Sequence, residues 1–303
     1  MSIGVFFAVL CAALLHARWN ALVKVSVDRL VLLTVLKIKT TIFAVASIPF
    51  ISTPPVEAWP YIAASVAIHT AYFLFLTISY RFGDLSQVYP ISRGAAPLLF
   101  AGIAVVVLGA TLEFQASIAL LLISCGIMSL VFSEKGATGQ PKAIGAAPAT
   151  GCFIAGYTVA EGAGARLSQD ALSYILWLNA FNGTPIILIA TALRRRELVP
   201  QAKRVWKMGA LSAIISLAAY WIVLWASTQA PLALVAAVRE ASIVYALLFG
   251  VAFLKEEMDL RKVLSVFVTL SGTALLRVSR DRKADIHPFQ VKGSKVRGFI
   301  LAL

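Results

Sequence analysis

The sequence is poor in charge: only 14% of its 303 residues are Asp, Glu, Lys or Arg, against about 25% in a soluble globular domain. With 60% hydrophobic residues beside that shortage, the chain cannot cover a compact body with water-compatible side chains. Cysteine is scarce too. Cys11, Cys125 and Cys152 all fall in apolar stretches, which argues against a disulfide framework and reads them as small buried hydrophobes. The three histidines, His16, His69 and His287, are widely separated. There is no His-Glu-x-x-His run, no pair of catalytic aspartates and no phosphate-cradling Gly-x-x-x-x-Gly-Lys-Ser/Thr loop. The expectation is therefore a protein that is not an enzyme, binds no metal and needs no cofactor.

What the chain has instead is apolar length. Mean hydropathy is +0.86, and runs of about 20 apolar residues, enough to cross about 30 Å of hydrocarbon, recur throughout. Turn residues and charge clusters cut the chain into ten spans: 3–24, 30–50, 58–80, 85–108, 113–133, 143–163, 171–193, 205–227, 231–253 and 260–279. The connections are short, and the basic tail from Arg280 is the one stretch left for anything outside the bilayer. The first apolar run has no basic region before it and no small-residue cleavage site, so it is expected to stay as the first span. The net charge of +13 fits basic loops facing anionic lipid rather than nucleic acid.

Sliding the chain against itself by 146 positions sets Arg93 on Arg239, Leu108 on Leu254, Glu113 on Asp259 and Gly126 on Gly272. The same offset sets His16 on Gly162 and Arg18 on Gly164. Five crossings per half force the halves into opposite orientations. The expected fold is an all-α integral membrane protein whose ten transmembrane helices form two inverted five-helix repeats, 1–142 and 143–280, followed by a basic tail, 281–303.

Three passages then carry a family resemblance: HARWNALVK at the end of the first span, YRFGDLSQVYPISRGAAPLL (80–99), and FLKEEM (253–258) with Glu256 in a characteristic glutamate position. They resemble the EamA type of the drug/metabolite transporter superfamily; the first half departs from it, with Ala110 where the second has that glutamate. The resemblance implies a ten-helix carrier for a small metabolite, importing or exporting, in a bacterial inner membrane. Its partners would be the bilayer and a small-molecule substrate, with the chain acting as a monomer or homodimer. The alternative is a channel, or a membrane enzyme without a recognisable motif. Fourteen Lys and Arg residues follow the odd-numbered spans, which puts those loops in the cytoplasm and both termini outside, although the basic tail pulls the other way.

Polar groups inside the spans are the candidates for function, because a charge at mid-depth costs at least about 2.5–3.5 kcal/mol. Arg93, between Pro90 and Pro97, and Arg239 are expected to present two guanidinium forks to an anionic substrate such as a carboxylate, phosphate or phosphonate. His16 and Asn20, four apart, share a face; with Tyr89 and Lys37 they complete the candidate binding set, while Lys39, about 200° away from Lys37 around the helix, is expected to snorkel or face lipid headgroups. Glu161, Glu240 and His69 are the candidate coupling residues, with Glu161 also a candidate partner for Arg18. Five basic groups (Arg18, Lys37, Lys39, Arg93 and Arg239) face two acids within the spans, a surplus that favours an anion over a cationic drug. Trp19, Tyr157, Asn179, Asn182 and Tyr245 are lesser candidates that interfacial anchoring also explains.

Overall fold

A computed structural model describes residues 1–82, 85–106, 114–130, 141–254 and 260–281. They form twelve α-helices: α1 Ile3–Val25, α2 Arg29–Ser47, α3 Trp59–Phe82, α4 Leu85–Val106, α5 Phe114–Ser129, α6 Pro141–Ser168, α7 Ala171–Arg194, α8 Leu198–Arg204, α9 Trp206–Gln229, α10 Leu232–Arg239, α11 Ser242–Leu254 and α12 Leu260–Asp281. The described residues contain no strand. Among the described residues four stretches are long and apolar enough to cross a bilayer, Ile3–Val23, Arg29–Phe50, Ala171–Arg204 and Trp206–Gln229, and shorter apolar helices accompany them. Large apolar side chains such as Phe7, Ile42, Phe43, Leu188, Ile214 and Phe267 lie on the outside, where only lipid can receive them. The chain is an all-α, multi-pass membrane protein.

Two expectations need correction. All three cysteines sit on exposed helix surfaces, not in the core; apolar neighbours in sequence mark a membrane helix without saying which face looks at lipid. The ninth span is also not one helix. Between α10 and α11 the amides of Glu240 and Ala241 bond back to Ala237 and Val238, an i to i−3 turn that interrupts the helix at the arginine. No proline or glycine lies at the break, whereas α4 runs on through Pro90 and Pro97.

The packing has a two-fold pattern. α1 lies on α9 and on α10–α11, as α6 lies on α3 and α4; α2 pairs with α7, and α5 with α12. Exchanging α1 with α6, α2 with α7, α3 with α9, α4 with α10–α11 and α5 with α12 turns each packing into another of the set. Single residues repeat the pattern. A Cβ on Gly126 would meet Thr269 and Ser265, and one on Gly272 would meet Ile123 and Ala119. The two contacts are images at an offset of 146, as in a self-complementary interface. One index rises as the other falls, so α5 and α12 run antiparallel.

The α2–α7 pair has a different register. Thr41 donates to the carbonyl of Asn179 (3.0 Å), while a Cβ on Gly183 would meet Thr41 and the carbonyl of Lys37. These are images at an offset of 142. The same offset sets Ser26-Val27-Asp28 on Ser168-Gln169-Asp170, and the two turns are built alike. Each serine hydroxyl donates to the aspartate's own carbonyl (3.2 and 3.0 Å). Each aspartate caps the next helix, Asp28 accepting from Val31 and Asp170 from the corresponding Ser173 as well as from Leu172. The far ends correspond too, with Arg194 on Asp28 (2.7 Å) and Ser52 on Asp170 (3.4 Å). Partial burial pushes the Asp170 carboxyl up, but hydrogen bonds from Ser173, Leu172 and Ser52 outweigh it and hold the group below its ordinary range. The constant offset of 146 is therefore corrected in the early helices, where His16 corresponds to Thr158 and Arg18 to Ala160.

Arg166 ties the end of α6 to the end of α9: Nε donates to Ser227 O (2.8 Å) and an Nη to Ala230 O (2.7 Å). These carbonyls have lost their helical partners, so the guanidinium satisfies a helix C-terminus and complements its dipole. Arg166→Gln is expected to cost about 1–3 kcal/mol through the stranded carbonyls, read as a lower melting temperature in detergent.

Candidate functional site

Burial separates the candidate polar residues into inner and outer ones. Arg93, Arg239, Glu161 and Glu240 are 5%, 8%, 2% and 1% exposed. Arg18, by contrast, lies on an exposed face of α1 while Glu161 is buried, so the expected Arg18–Glu161 pair does not form. Lys39 turns outward as well, its Nζ 3.6 Å from the centre of the Trp206 ring, a cation–π contact. Lys37, two residues earlier and on the other side of α2, is close enough to Glu161 to act on it electrostatically. The side chain of Tyr89, the FLKEEM glutamates and the tail lie outside the described residues.

The first inner cluster forms at the helix break. Glu240 stands on the turn between α10 and α11 and faces two guanidinia. Arg93 Nε of α4 is 3.1 Å from one carboxylate oxygen, and an Nη of Arg239 is 3.5 Å from the other. Arg93 also donates to the Ser242 hydroxyl (3.4 Å) at the start of α11. Helical geometry argues against a contact between neighbours such as Arg239 and Glu240, which point about 100° apart. The interrupted helix and the long arginine stem remove that restriction. A narrow crevice beside the pair is lined by Ala96, Pro97, Ile154, Ala155, Thr158, Arg239 and Glu240.

The second cluster joins α3 to α6. The Ser65 hydroxyl donates to Glu161 (2.6 Å), and His69 Nδ1 lies 3.2 Å from the same carboxylate oxygen. That nitrogen is also 3.2 Å from the carbonyl of Ser65. Two acceptors face it, so Nδ1 carries a proton. Tyr157 stacks on the imidazole with centroids 4.1 Å apart, and Tyr72 meets Tyr157 edge-on. Sequence spacing gave Tyr157 no such role: its partner is on another helix, and one helix turn separates it from Glu161.

The two clusters share one field. Arg239 acts on Glu161, His69 and Tyr157, and Arg93 acts on Tyr157 and His16. His16 is thus drawn into the site. Asn20 donates one amide N–H back to the His16 carbonyl (2.7 Å), which ties the two residues together on their shared helix face and leaves the second N–H and the amide oxygen for other partners. Asn182 of α7 is fully buried, with neither amide atom bonded among the described residues, whereas Asn179 bonds back to Ile175 (2.8 Å). Among the described residues no group of histidines, cysteines and carboxylates has metal-binding geometry.

Residues 143–278 match the EamA-like transporter family, consistent with the drug/metabolite transporter superfamily. No curated protein sequence matches the chain. A crystal structure of another protein superposes with a TM-score of 0.68 over 93% of this chain and 98% of its own, at 13% identity, a likeness of fold alone. Members of the matched family are membrane transporters of small molecules.

Proposed function

We propose, from the EamA-like module in residues 143–278 and the buried charges around it, that this protein is a secondary carrier for a small polar anion, a carboxylate, phosphate or phosphonate, in a bacterial inner membrane. Its two five-helix halves, 1–142 and 143–280, would rock about the polar centre to expose it alternately to each side. The observation that carries the substrate class is a charge count. Among the described residues, the buried Arg93 and Arg239 and the half-buried Lys37 share one zone with Glu161 and Glu240. One positive charge is left over, and an anion is what neutralises it.

Glu161 is the group we assign to coupling. It is buried, held by Ser65 and His69, and near the arginine that would hold substrate, so a proton there and an anion beside it favour each other. Purified protein in proteoliposomes tests both statements. Saturable uptake that shows counterflow with an anionic metabolite is expected; conductance without saturation would instead indicate a channel. With Glu161→Gln, a pH gradient should no longer drive accumulation while counterflow persists. A gradient effect equal to that of the parent removes Glu161 from the coupling role.

A further inference from the structure

We infer that Glu240 is a built-in stand-in for the transported anion and sets the charge that the site accepts. The inference rests on the anionic reading above and deepens it. The carboxylate is 1% exposed and faces two guanidinia, the surroundings that an anion site would offer a ligand. Two buried guanidinia without it would repel each other and stay unsolvated.

The two contacts are unequal, and this decides which arginine is handed over. Arg93 lies 3.1 Å from Glu240 and is tied to Ser242 as well. Among the described residues Arg239 makes only the longer, 3.5 Å contact. Arg239 also borders the crevice between α4, α6 and α10. An entering anion therefore takes Arg239, and Glu240 stays with Arg93. Glu240 stands on an i to i−3 turn between two helices, so its carboxylate can shift without unwinding either one.

Charge selectivity follows. With Glu161 and Glu240 both ionised, as at alkaline pH where the probes are compared, Lys37, Arg93 and Arg239 face two carboxylates, and one negative charge on the substrate completes the balance. With Glu240→Gln two positive charges are in excess, and a doubly charged anion fits.

Thermal shift of the purified full chain in detergent tests this, with lactate (one charge), succinate (two charges) and lactamide (none) as probes. The parent should be stabilised at lower lactate than succinate. Glu240→Gln should reverse that order, its apparent affinity for succinate rising at least about fivefold, the effect of removing one nearby unit charge even where screening is strong. Adding Arg239→Gln to Glu240→Gln should abolish the gain. Glu240→Asp keeps the charge, guards against loss of folding in the glutamine variant, and should keep the lactate preference. If Glu240→Gln keeps the parent's order, or if Glu240→Asp reverses it, the stand-in role is overturned and the anionic reading survives. If lactamide is the one probe that stabilises the parent, or no probe does, the anionic reading fails and the inference falls with it.

Discussion

The double replacement Arg93→Lys, Arg239→Lys is expected to reduce saturable anion counterflow at least about a hundredfold while the protein still folds. Lysine keeps both positive charges, so Glu240 (1% exposed) stays paired and the buried-charge penalty is avoided. What is lost is the planar fork, which holds one carboxylate and still offers donors to a second. Arg93 keeps its Nε in ion-pair contact with Glu240 (3.1 Å) while an Nη donates to Ser242, which a single ammonium on a shorter reach does not reproduce. Two charge-assisted hydrogen bonds lost, at about 1.5–3 kcal/mol each, give a hundredfold or more. Counterflow in vesicles and a melting curve on the same preparation separate the effects. Parent-like uptake by the double lysine variant removes the guanidinium forks from substrate binding. By contrast, Arg93→Met is expected to lower stability by about 3 kcal/mol, because it leaves a buried carboxylate with only the 3.5 Å contact to Arg239.

The second large effect belongs to the scaffold. Gly126→Leu and Gly272→Leu are each expected to destabilise the protein by about 3 kcal/mol or more, at the upper end of overpacking costs. A Cβ on Gly126 would lie 2.9 Å from the Thr269 amide nitrogen and 3.1 Å from the Ser265 carbonyl; one on Gly272 would lie 2.8 Å from the Ala119 carbonyl and 2.9 Å from the Ile123 nitrogen. Both clashes are with backbone, which cannot turn aside as a side chain can. Gly102→Ala is the control, since nothing lies within 4 Å of its Cβ position. Equal losses of melting temperature at Gly126 and Gly272, with none at Gly102, are the expected result. A large difference between the first two would refute the symmetric α5–α12 contact.

The repeat was more legible in the sequence than one sliding offset makes it. Ser26-x-Asp28 and Ser168-x-Asp170 are a matching pair of helix starts with matching hydrogen bonds. They lie 142 apart, while Gly126 and Gly272 lie 146 apart, and no single offset finds both. The four extra residues fall between α7 and α12, the stretch that also carries the short helix α8. Arg194 and Ser52 show why such pairs stay hidden: the images keep their place against the aspartates but change from ion pair to hydroxyl contact.

Composition and hydropathy by themselves determined that this is a helical membrane protein, roughly where its spans lie, and that arginines and glutamates sit where charge is expensive. Those properties are local sums along the chain, set by transfer of side chains and peptide groups into hydrocarbon. Which arginine meets which carboxylate was decided by tertiary structure alone. Arg93 finds Glu240 across more than a hundred residues, and Glu161 finds Ser65 and His69 instead of Arg18. The same holds for the break before Ser242, which no proline or glycine announces. Partner choice depends on how helices from the two halves approach each other, and the cost of an unpaired buried charge then selects among the carboxylates within reach.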